Sequence, residues 1–245
     1  MRFLVTGLNG TVAPVLAVRL RRDHHDVAGW DRARVSPDDR EACSAYIAKQ
    51  QPDWVIHLAM GSPDWAAEMA ATCLGRGIRF LFTSTVSVFD GSRSGPFARE
   101  QEPDARDEYG RYKAECERRI RHANPDAIIA RLGWQIGDAP GNNNMVDYLD
   151  RTHREKGGVE VSSGWIPSAA YLGDTVEALY ALCCDCPAGL YQLEGNPGWT
   201  FFQIATELNK RHGNAWNIVR KEEPRRDGRM DEDRVTMGKL DARFR

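Results

Sequence analysis

The chain has 245 residues, of which 42% are hydrophobic, and its 33 basic and 35 acidic side chains leave a net charge of −2. This near-neutral balance disfavours nucleic acid as a partner, because proteins that bind a polyanionic backbone usually carry a basic excess. No run of 18 apolar residues is present and the first apolar run follows Met1 and Arg2 directly, so we expect a cytoplasmic protein that neither spans a membrane nor is secreted.

The predicted elements alternate between strands and helices. Short apolar runs predict the strands, and apolar residues at helical spacing predict the helices. We predict strands at 2–6, 26–31, 53–59, 79–85, 127–132 and 189–195, and helices at 11–22, 39–51, 62–75, 107–123 and 173–185. This alternation predicts an α/β fold with a Rossmann-type, doubly wound parallel sheet.

A glycine-rich turn joins the first predicted strand to the first predicted helix. The segment Gly7-Leu8-Asn9-Gly10-Thr11-Val12-Ala13 has the spacing G-x-x-G-x-x-A. Gly7 permits a sharp turn, and Gly10 lacks a Cβ where a pyrophosphate would approach backbone N–H groups. The turn therefore predicts a dinucleotide cofactor, bound by Gly7, Leu8, Asn9, Gly10, Thr11 and Val12.

An acidic residue closes the second predicted strand. The carboxylate of Asp31 could accept hydrogen bonds from both hydroxyls of the adenosine ribose, which favours NAD as the cofactor. Arg32 and Arg34 follow directly, and a guanidinium at this point could instead bind the 2′-phosphate of NADP. We expect NAD, with NADP as the alternative.

Three side chains form a candidate proton-transfer group. Tyr109 and Lys113 lie four residues apart on a predicted helix, so the phenol and the ammonium share one face. A nearby cation favours the phenolate, so we expect Lys113 to lower the pKa of Tyr109. Thr85 ends the preceding strand, and its hydroxyl could bind a substrate oxygen as charge develops. Thr83, Ser84 and Ser87 are neighbouring hydroxyls that could share this role.

Five motifs together resemble those of the extended short-chain dehydrogenase/reductases. They are Thr6-Gly7-x-x-Gly10, Val55-Ile56-His57-Leu58-Ala59, Ser84-Thr85-Val86-Ser87-Val88-Phe89-Asp90-Gly91, Tyr109-Gly110-Arg111-Tyr112-Lys113 and Arg131-Leu132-Gly133-Trp134. Within this family the likeness is greatest to the dTDP-4-dehydrorhamnose reductases, through Phe89-Asp90-Gly91, Gly141-Asn142-Asn143 and Gly189 to Leu193. The likeness spans most of the chain.

This resemblance implies an NAD(P)-dependent oxidoreductase that reduces the keto group of a nucleotide-sugar. It implies Thr85, Tyr109 and Lys113 as the catalytic residues, with Tyr109 as the proton donor. The implied cofactor contacts beyond the glycine-rich turn are Asp31, Arg32, Leu58, Ala59, Met60, Thr83, Tyr109, Lys113 and Leu132. The implied substrate contacts are Ser87, Trp134, Asn142, Asn143 and Trp165, where either tryptophan could stack on a base or sugar or simply fill the core.

The resemblance also implies that the chain is divided into two parts. Residues 1–135, completed by 171–195, would form the dinucleotide-binding domain, and residues 136–170 with 196–245 a small substrate-binding lobe. The chain departs from the family in a shorter segment after His57, an earlier end, and Ser162-Ser163-Gly164-Trp165-Ile166-Pro167-Ser168 where the family has Asp-Gln-x-Gly-x-Pro-Thr. These departures leave the exact sugar open.

Two other functions are compatible with the same residues. The trio also suits a nucleotide-sugar 4-epimerase, in which the nicotinamide ends unchanged, or an oxidation, in which it ends reduced. A shortened substrate side would suit a dinucleotide-binding regulatory subunit without catalysis, although an intact trio argues against that function. A homodimer through the helix at 107–123 would resemble the family.

Several other signals favour structural roles. The six cysteines are scattered, and we interpret Cys183, Cys184 and Cys186 as a helix end, because no fourth ligand with suitable spacing lies nearby; we expect free thiols and no metal. His57 lies in a buried strand, which favours packing. We interpret the charged stretch 220–234 as a solvated loop, with closure over an anionic ligand as the alternative.

Overall fold

The computed structural model describes residues 1–244. The strands are β1 (Arg2–Thr6), β2 (Asp26–Gly29), β3 (Trp54–His57), β4 (Arg79–Thr85), β5 (Ile128–Leu132), β6 (Trp134–Ile136), β7 (Val159–Ser162), β8 (Trp165–Ile166), β9 (Ala169–Tyr171), β10 (Gly189–Leu193), β11 (Ile218–Lys221) and β12 (Arg226–Asp227). The helices are α1 (Ala13–Arg22), α2 (Arg40–Gln50), α3 (Pro63–Gly75), α4 (Glu108–Ala123), α5 (Met145–Lys156), α6 (Leu172–Asp185), α7 (Phe201–Arg211) and α8 (Leu240–Arg243), with a 3-10 turn at Val86–Val88. Within this range no helix combines the length and the hydropathy needed to cross a membrane.

The central sheet has six strands in the order β10-β5-β4-β3-β1-β2, and every neighbouring pair is parallel. The strand order reverses at β1, since the chain passes from β1 to β2 on one side and then to β3 on the other. In open α/β sheets, ligands bind at the carboxyl ends of the strands beside such a reversal. The predicted α/β class with a doubly wound parallel sheet is confirmed.

The second strand ends earlier than predicted. It stops at Gly29, and only the N–H of Trp30 extends the pairing, with a bond of 2.9 Å to the carbonyl oxygen of Val5. Asp31 begins a turn instead, because its carboxylate accepts the N–H of Ala33 at 2.9 Å and its carbonyl accepts that of Arg34. The predicted strand at 26–31 is therefore two residues too long.

Helices cover both faces of the sheet. Leu16 of α1 and Leu179 of α6 are buried on one face, and Ile47 of α2, Met69 of α3 and Ile120 of α4 are buried on the other. A third group of buried apolar residues lies outside the sheet and joins α5, α7, β7 and β9. We did not predict these elements, since strands of two to four residues paired across long sequence distances leave little periodicity.

The interpretation of 220–234 as a solvated loop is wrong for Arg220 and Lys221, which end β11, and for its second half. Residues 220–225 are exposed, but Arg226 and Asp227 form β12 beside β8, and Met230 is buried. The side chain of Glu232 is 1% exposed, accepts the N–H of Gln192 at 3.1 Å, and pairs with the guanidinium of Arg234. Charges of opposite sign two residues apart neutralise one another, which allows this segment to pack.

Candidate active site

A cavity of about 570 Å³ opens at the carboxyl ends of β1, β3, β4 and β5. The predicted residues that line it are Gly7, Gly10, Thr11, Val12, Leu58, Met60, Thr83, Thr85, Ser87, Tyr109, Lys113, Leu132, Trp134, Asn143 and Trp165. Ser84, one of the hydroxyls that could share the role of Thr85, lines it as well. The remaining lining residues are Ala13, Val86, Phe89, Asp90, Gly91, Arg93, Phe97, Gly133, Gln135, Pro167, Ser168, Arg226 and Gly228. The cavity thus runs from the glycine-rich turn to the elements of the C-terminal half.

The glycine-rich turn has the tight geometry that its sequence predicts. Gly7 adopts a φ of +82°, and a Cβ at this position would lie 3.0 Å from the backbone nitrogen of Ala59. The hydroxyl of Thr6 accepts the N–H groups of Leu58 and Ala59, each at 3.0 Å, which brings the ends of β1 and β3 together. The turn closes with the N–H of Gly10 donating to the carbonyl oxygen of Gly7 at 2.8 Å.

His57 lies in the core beneath this turn. Its Nδ1 is 2.9 Å from the hydroxyl of Thr6, which already accepts two N–H groups and therefore donates its own hydrogen to the imidazole. The remaining proton of His57 is then on Nε2, which has no hydrogen-bond partner within residues 1–244. The indole of Trp65 lies edge-on, with ring centroids 4.6 Å apart. Burial lowers the pKa of His57 to about 3, so the side chain is neutral and packs, as we predicted.

The predicted catalytic side chains come from β4 and α4. Tyr109 stands at the cavity wall and is 44% exposed, whereas Lys113, one turn further along α4, is 3% exposed. The ammonium of Lys113 donates to the carbonyl oxygen of Thr83 at 2.9 Å and lies 4.5 Å from the centroid of the Phe82 ring. The Oγ1 of Thr85 accepts the N–H of Ser87 at 3.2 Å, which leaves the hydroxyl hydrogen of Thr85 free to donate.

The expected effect of Lys113 on Tyr109 is wrong. Desolvation by the cavity wall raises the pKa of Tyr109 above its usual value, the neighbouring hydroxyl of Thr85 lowers it, and the charge of Asp107 raises it further. Burial also lowers the pKa of Lys113 to about 8. The reason for the difference is that the ammonium turns towards the backbone of β4 and not towards the phenol.

The start of α4 is fixed by two local features. The carboxylate of Asp107 accepts the N–H of Gly110 at 2.8 Å and so caps the helix. A side chain at position 110 is excluded, because a Cβ there would collide with the carbonyl oxygen of Ser87. The first turn of α4, which carries Tyr109, therefore packs directly against the segment that follows Thr85.

An unpaired guanidinium lies at the far end of the cavity. Arg226 reaches the lining from β12, and its Nε is buried without a hydrogen-bond partner in the described part of the chain. Its guanidinium carbon lies 4.9 Å from the centroid of the Trp165 ring. Burial lowers the pKa of Arg226. A desolvated cation that faces a cavity suits an anionic ligand, which agrees with the alternative that we left open for this charged stretch.

Six predicted binding residues do not line the cavity: Leu8, Asn9, Asp31, Arg32, Ala59 and Asn142. The side chain of Leu8 fills the space above Gly29, and the carbonyl oxygen of Asn142 accepts the hydroxyl of Thr11. Asn142 therefore bridges the glycine-rich turn to the loop before α5.

Asp31 and Arg32 lie beside the outer end of the glycine-rich turn. The carboxylate of Asp31 is 3.3 Å from the guanidinium of Arg34, and its side chain is 53% exposed. Arg32 donates to the carbonyl oxygen of Met60, and its guanidinium carbon lies 5.1 Å from the centroid of the Trp65 ring. One carboxylate and two guanidiniums thus lie close together. A carboxylate suits the hydroxyls of an adenosine ribose, and a guanidinium suits a 2′-phosphate.

The cysteines are all free, and α6 ends at Asp185 with Cys186 as its C-terminal cap. Across residues 1–244, no cluster of three or more His, Cys, Asp or Glu side chains is arranged to hold a metal ion.

A family model described as the RmlD substrate binding domain matches residues 63–224. The chain is 29% identical over 202 residues to the "Probable low-salt glycan biosynthesis reductase Agl14" of Haloferax volcanii, covering 72% of this chain and 63% of that protein. It is 26% identical to the dTDP-4-dehydrorhamnose reductase of Aggregatibacter actinomycetemcomitans, covering 83% of this chain and 77% of that protein.

The fold is similar to that of the crystal structure of dTDP-4-dehydrorhamnose reductase from Bacillus anthracis in complex with NADP. The TM-score is 0.85 at 18% sequence identity, with 99% of this chain and 96% of that chain covered. The likeness therefore extends over both the parallel sheet and the elements outside it.

Proposed function

Because the chain belongs to the family of the RmlD substrate binding domain, within the extended short-chain dehydrogenase/reductases, we propose that it is an NAD(P)-dependent reductase acting on a keto group of a nucleotide-sugar. The names of its relatives support a reductase. The observation that carries the proposal is one cavity that joins the glycine-rich turn to Thr85 and Tyr109.

The glycine-rich turn fits a dinucleotide. A Cβ at Gly7 would crowd the backbone of Ala59, and one at Gly10 would lie 3.2 Å from the carbonyl oxygen of Gly7, so the bare backbone leaves room for a pyrophosphate. We assign the cofactor contacts to the residues predicted from the sequence, with Lys113 on the nicotinamide ribose. The cofactor supplies hydride to the keto carbon when it is bound.

The protein supplies the proton and holds the keto oxygen. The pKa of Tyr109 is raised, so its phenol is protonated at neutral pH, which is the state that a proton donor needs. Tyr109 gives this proton to the substrate oxygen as it becomes an alcohol. Thr85 donates its free hydroxyl hydrogen to the same oxygen and orients it.

We assign the substrate to the other end of the cavity. Ser87, Trp134, Asn143 and Trp165 line that end, and Asn142 stands next to it. The unpaired guanidinium of Arg226 suits the diphosphate of a nucleotide-sugar, because charge-assisted hydrogen bonds would replace its missing partners. We accordingly divide the chain into a dinucleotide-binding domain of 1–135 with 171–195 and a substrate-binding lobe of 136–170 with 196–245.

The experiment is turnover of nucleotide-linked keto-sugars with NADH or NADPH, followed by loss of nicotinamide absorbance. We expect the wild-type protein to consume the reduced cofactor, and Tyr109→Phe to lose at least about 100-fold in kcat while binding cofactor normally. Tyr180→Phe, on α6 and outside the cavity, is the matched control. Isomerised sugar with unchanged nicotinamide would assign the protein as an epimerase, and binding without turnover would assign it as a regulatory subunit.

A further inference from the structure

Three consecutive residues of β4 contact three successive turns of α4. The hydroxyl of Thr85 is close enough to the phenol of Tyr109 to lower its pKa, and the carbonyl oxygen of Thr83 accepts the ammonium of Lys113 at 2.9 Å. Between them, the hydroxyl of Ser84 donates to Oε1 of Glu117 at 2.5 Å. The proposed function gives roles to Thr85, Tyr109 and Lys113, whereas the contact between Ser84 and Glu117 has no part in it.

The third contact ends in a buried ion pair. Arg131 of β5 donates from Nε to Oε1 of Glu117 at 2.9 Å and from Nη2 to Oε2 at 2.8 Å. The side chain of Arg131 is 1% exposed and that of Glu117 is fully buried. A bidentate ion pair of this kind fixes both the distance and the relative orientation of α4 and β5, which apolar contacts between a helix and a strand do not.

The same guanidinium also holds the substrate end of the cavity. Nη1 of Arg131 donates to the side-chain oxygen of Gln192 at 3.3 Å, and the amide of Gln192 donates to the carbonyl oxygen of Phe97 at 2.8 Å. The guanidinium carbon of Arg131 lies 4.9 Å from the centroid of the Phe89 ring, which stacks on Phe97. Phe89 and Phe97 both line the cavity.

We propose that Glu117 and Arg131 are positioning residues, which act through Ser84 to hold Thr85 of β4 opposite Tyr109 of α4. This inference rests on the proposed function. An ion pair buried in a fold contributes little net stability compared with apolar residues of the same volume, because both charges lose their hydration. Its directional hydrogen bonds instead hold Tyr109, Thr85 and the part of the cavity lined by Phe89 and Phe97 in fixed relative positions.

Glu117 also acts on Lys113 through its charge. The titratable and charged groups near Lys113 are Tyr112, Cys116 and Glu117 on α4, His57 on β3, and Arg131 on β5 behind Glu117. Burial lowers the pKa of Lys113, whereas Cys116 and Glu117 raise it. Loss of Glu117 therefore shifts the titration of Lys113 to lower pH through the loss of its charge alone.

Two variants separate positioning from folding. Ser84→Ala leaves the ion pair intact and removes only its link to β4. The double variant Glu117→Leu with Arg131→Met replaces the pair by apolar side chains of similar volume, which such sites tolerate. Glu115→Gln, which loses an exposed ion pair on the same helix, is the matched control.

We expect the double variant to unfold at the wild-type temperature or above, and Ser84→Ala a few degrees lower because one buried hydrogen bond is lost. Both variants should bind NADPH within twofold of wild type and lose about tenfold in kcat, because a small misplacement of reacting groups slows the reaction. The control keeps its kcat. Wild-type kcat in both variants would overturn the inference.

A titration by NMR keeps this test separate from the proposed function. With ¹³C-labelled lysine and tyrosine, we expect a lower pKa of Lys113 in the double variant from the loss of the Glu117 charge, and a higher pKa of Tyr109 in Ser84→Ala because Thr85 moves away from the phenol and lowers its pKa less. If the wild-type protein turns over no keto-sugar, the proposed function fails, whereas the shift of Tyr109 still decides the positioning. An unchanged pKa of Tyr109 in Ser84→Ala would overturn the inference.

Discussion

The ammonium nitrogen of Lys113 lies 2.9 Å from the carbonyl oxygen of Thr83 and donates a hydrogen bond to it. This contact ties the middle of α4 to the end of β4, and it places a cation where almost no water reaches. Desolvation therefore lowers the pKa of Lys113 to about 8, and it raises the pKa of the neighbouring Tyr109 phenol.

The burial of Lys113 predicts a pH-dependent stability. Its pKa is lower in the folded protein than the usual 10.5, so the unfolded chain binds more protons between these values. The wild-type protein should then gain up to about 3 kcal/mol of unfolding free energy, relative to Lys113→Met, as the pH rises from 8 to 10.5. Urea unfolding across this range measures the difference. Lys156→Met, at an exposed position of α5, should show no such trend, and a flat difference for Lys113→Met would contradict the prediction.

The choice between NADH and NADPH should depend on Asp31 and Arg32. Loss of a guanidinium that meets the 2′-phosphate removes a charge-assisted hydrogen bond, so we expect Arg32→Ala to weaken NADPH binding about tenfold and NADH binding little. Asp31→Ala should weaken the binding of NADH more than the binding of NADPH. Titration by nicotinamide fluorescence gives both dissociation constants, with Arg40→Ala on α2 as the control. Equal losses for both cofactors in each variant would contradict this assignment.

Substrate affinity should depend on Arg226. Arg226→Met should raise the KM for the nucleotide-sugar at least about tenfold and leave the KM for NADPH unchanged, because only the substrate end loses its cation. The thermal stability should not fall, since the buried Nε has no partner to lose in the described residues. Arg225→Met is the matched control, because Arg225 is exposed and pairs with Glu222. An equal rise in KM for both variants would assign the effect to the general charge of the segment.

A buried carboxyl group outside the cavity predicts a second pH effect. Glu194 accepts N–H groups from Asn196 at 2.8 Å and Met230 at 3.0 Å, yet burial raises its pKa to about 7. The folded protein therefore favours the protonated form, and this group's stabilisation is complete below about pH 4.5 and is lost as the pH rises through 7.

The measurement is urea unfolding of wild type and Glu194→Gln at several pH values. Between pH 4.5 and 7 the wild-type unfolding free energy should fall by roughly 3 kcal/mol relative to the variant. Glu155→Gln, at an exposed position of α5, should follow the wild type. Parallel curves for wild type and Glu194→Gln would show that Glu194 titrates normally in the folded protein.

The features that the sequence determined by itself are local. The positive φ at Gly7, the helix that follows the glycine-rich turn and the shared face of Tyr109 and Lys113 depend on residues within about two turns of one another, although the helix begins at Ala13 and not at Thr11 as predicted. Alternating apolar runs likewise predicted the parallel sheet. We missed β12 because it pairs with β8 across a long sequence distance. We predicted the strand at 26–31 two residues too long because the side chain of Asp31 builds a turn there.

Only the tertiary structure decided the chemical state of these residues. Lys113 turns to the backbone of Thr83, thirty positions earlier in the chain, and so it does not lower the pKa of Tyr109. Arg226 reaches the same cavity from the C-terminal half, and Arg131 is paired with Glu117 by the packing of β5 against α4. Desolvation and ion pairing depend on which distant residues the fold brings together, and no spacing along the chain encodes that.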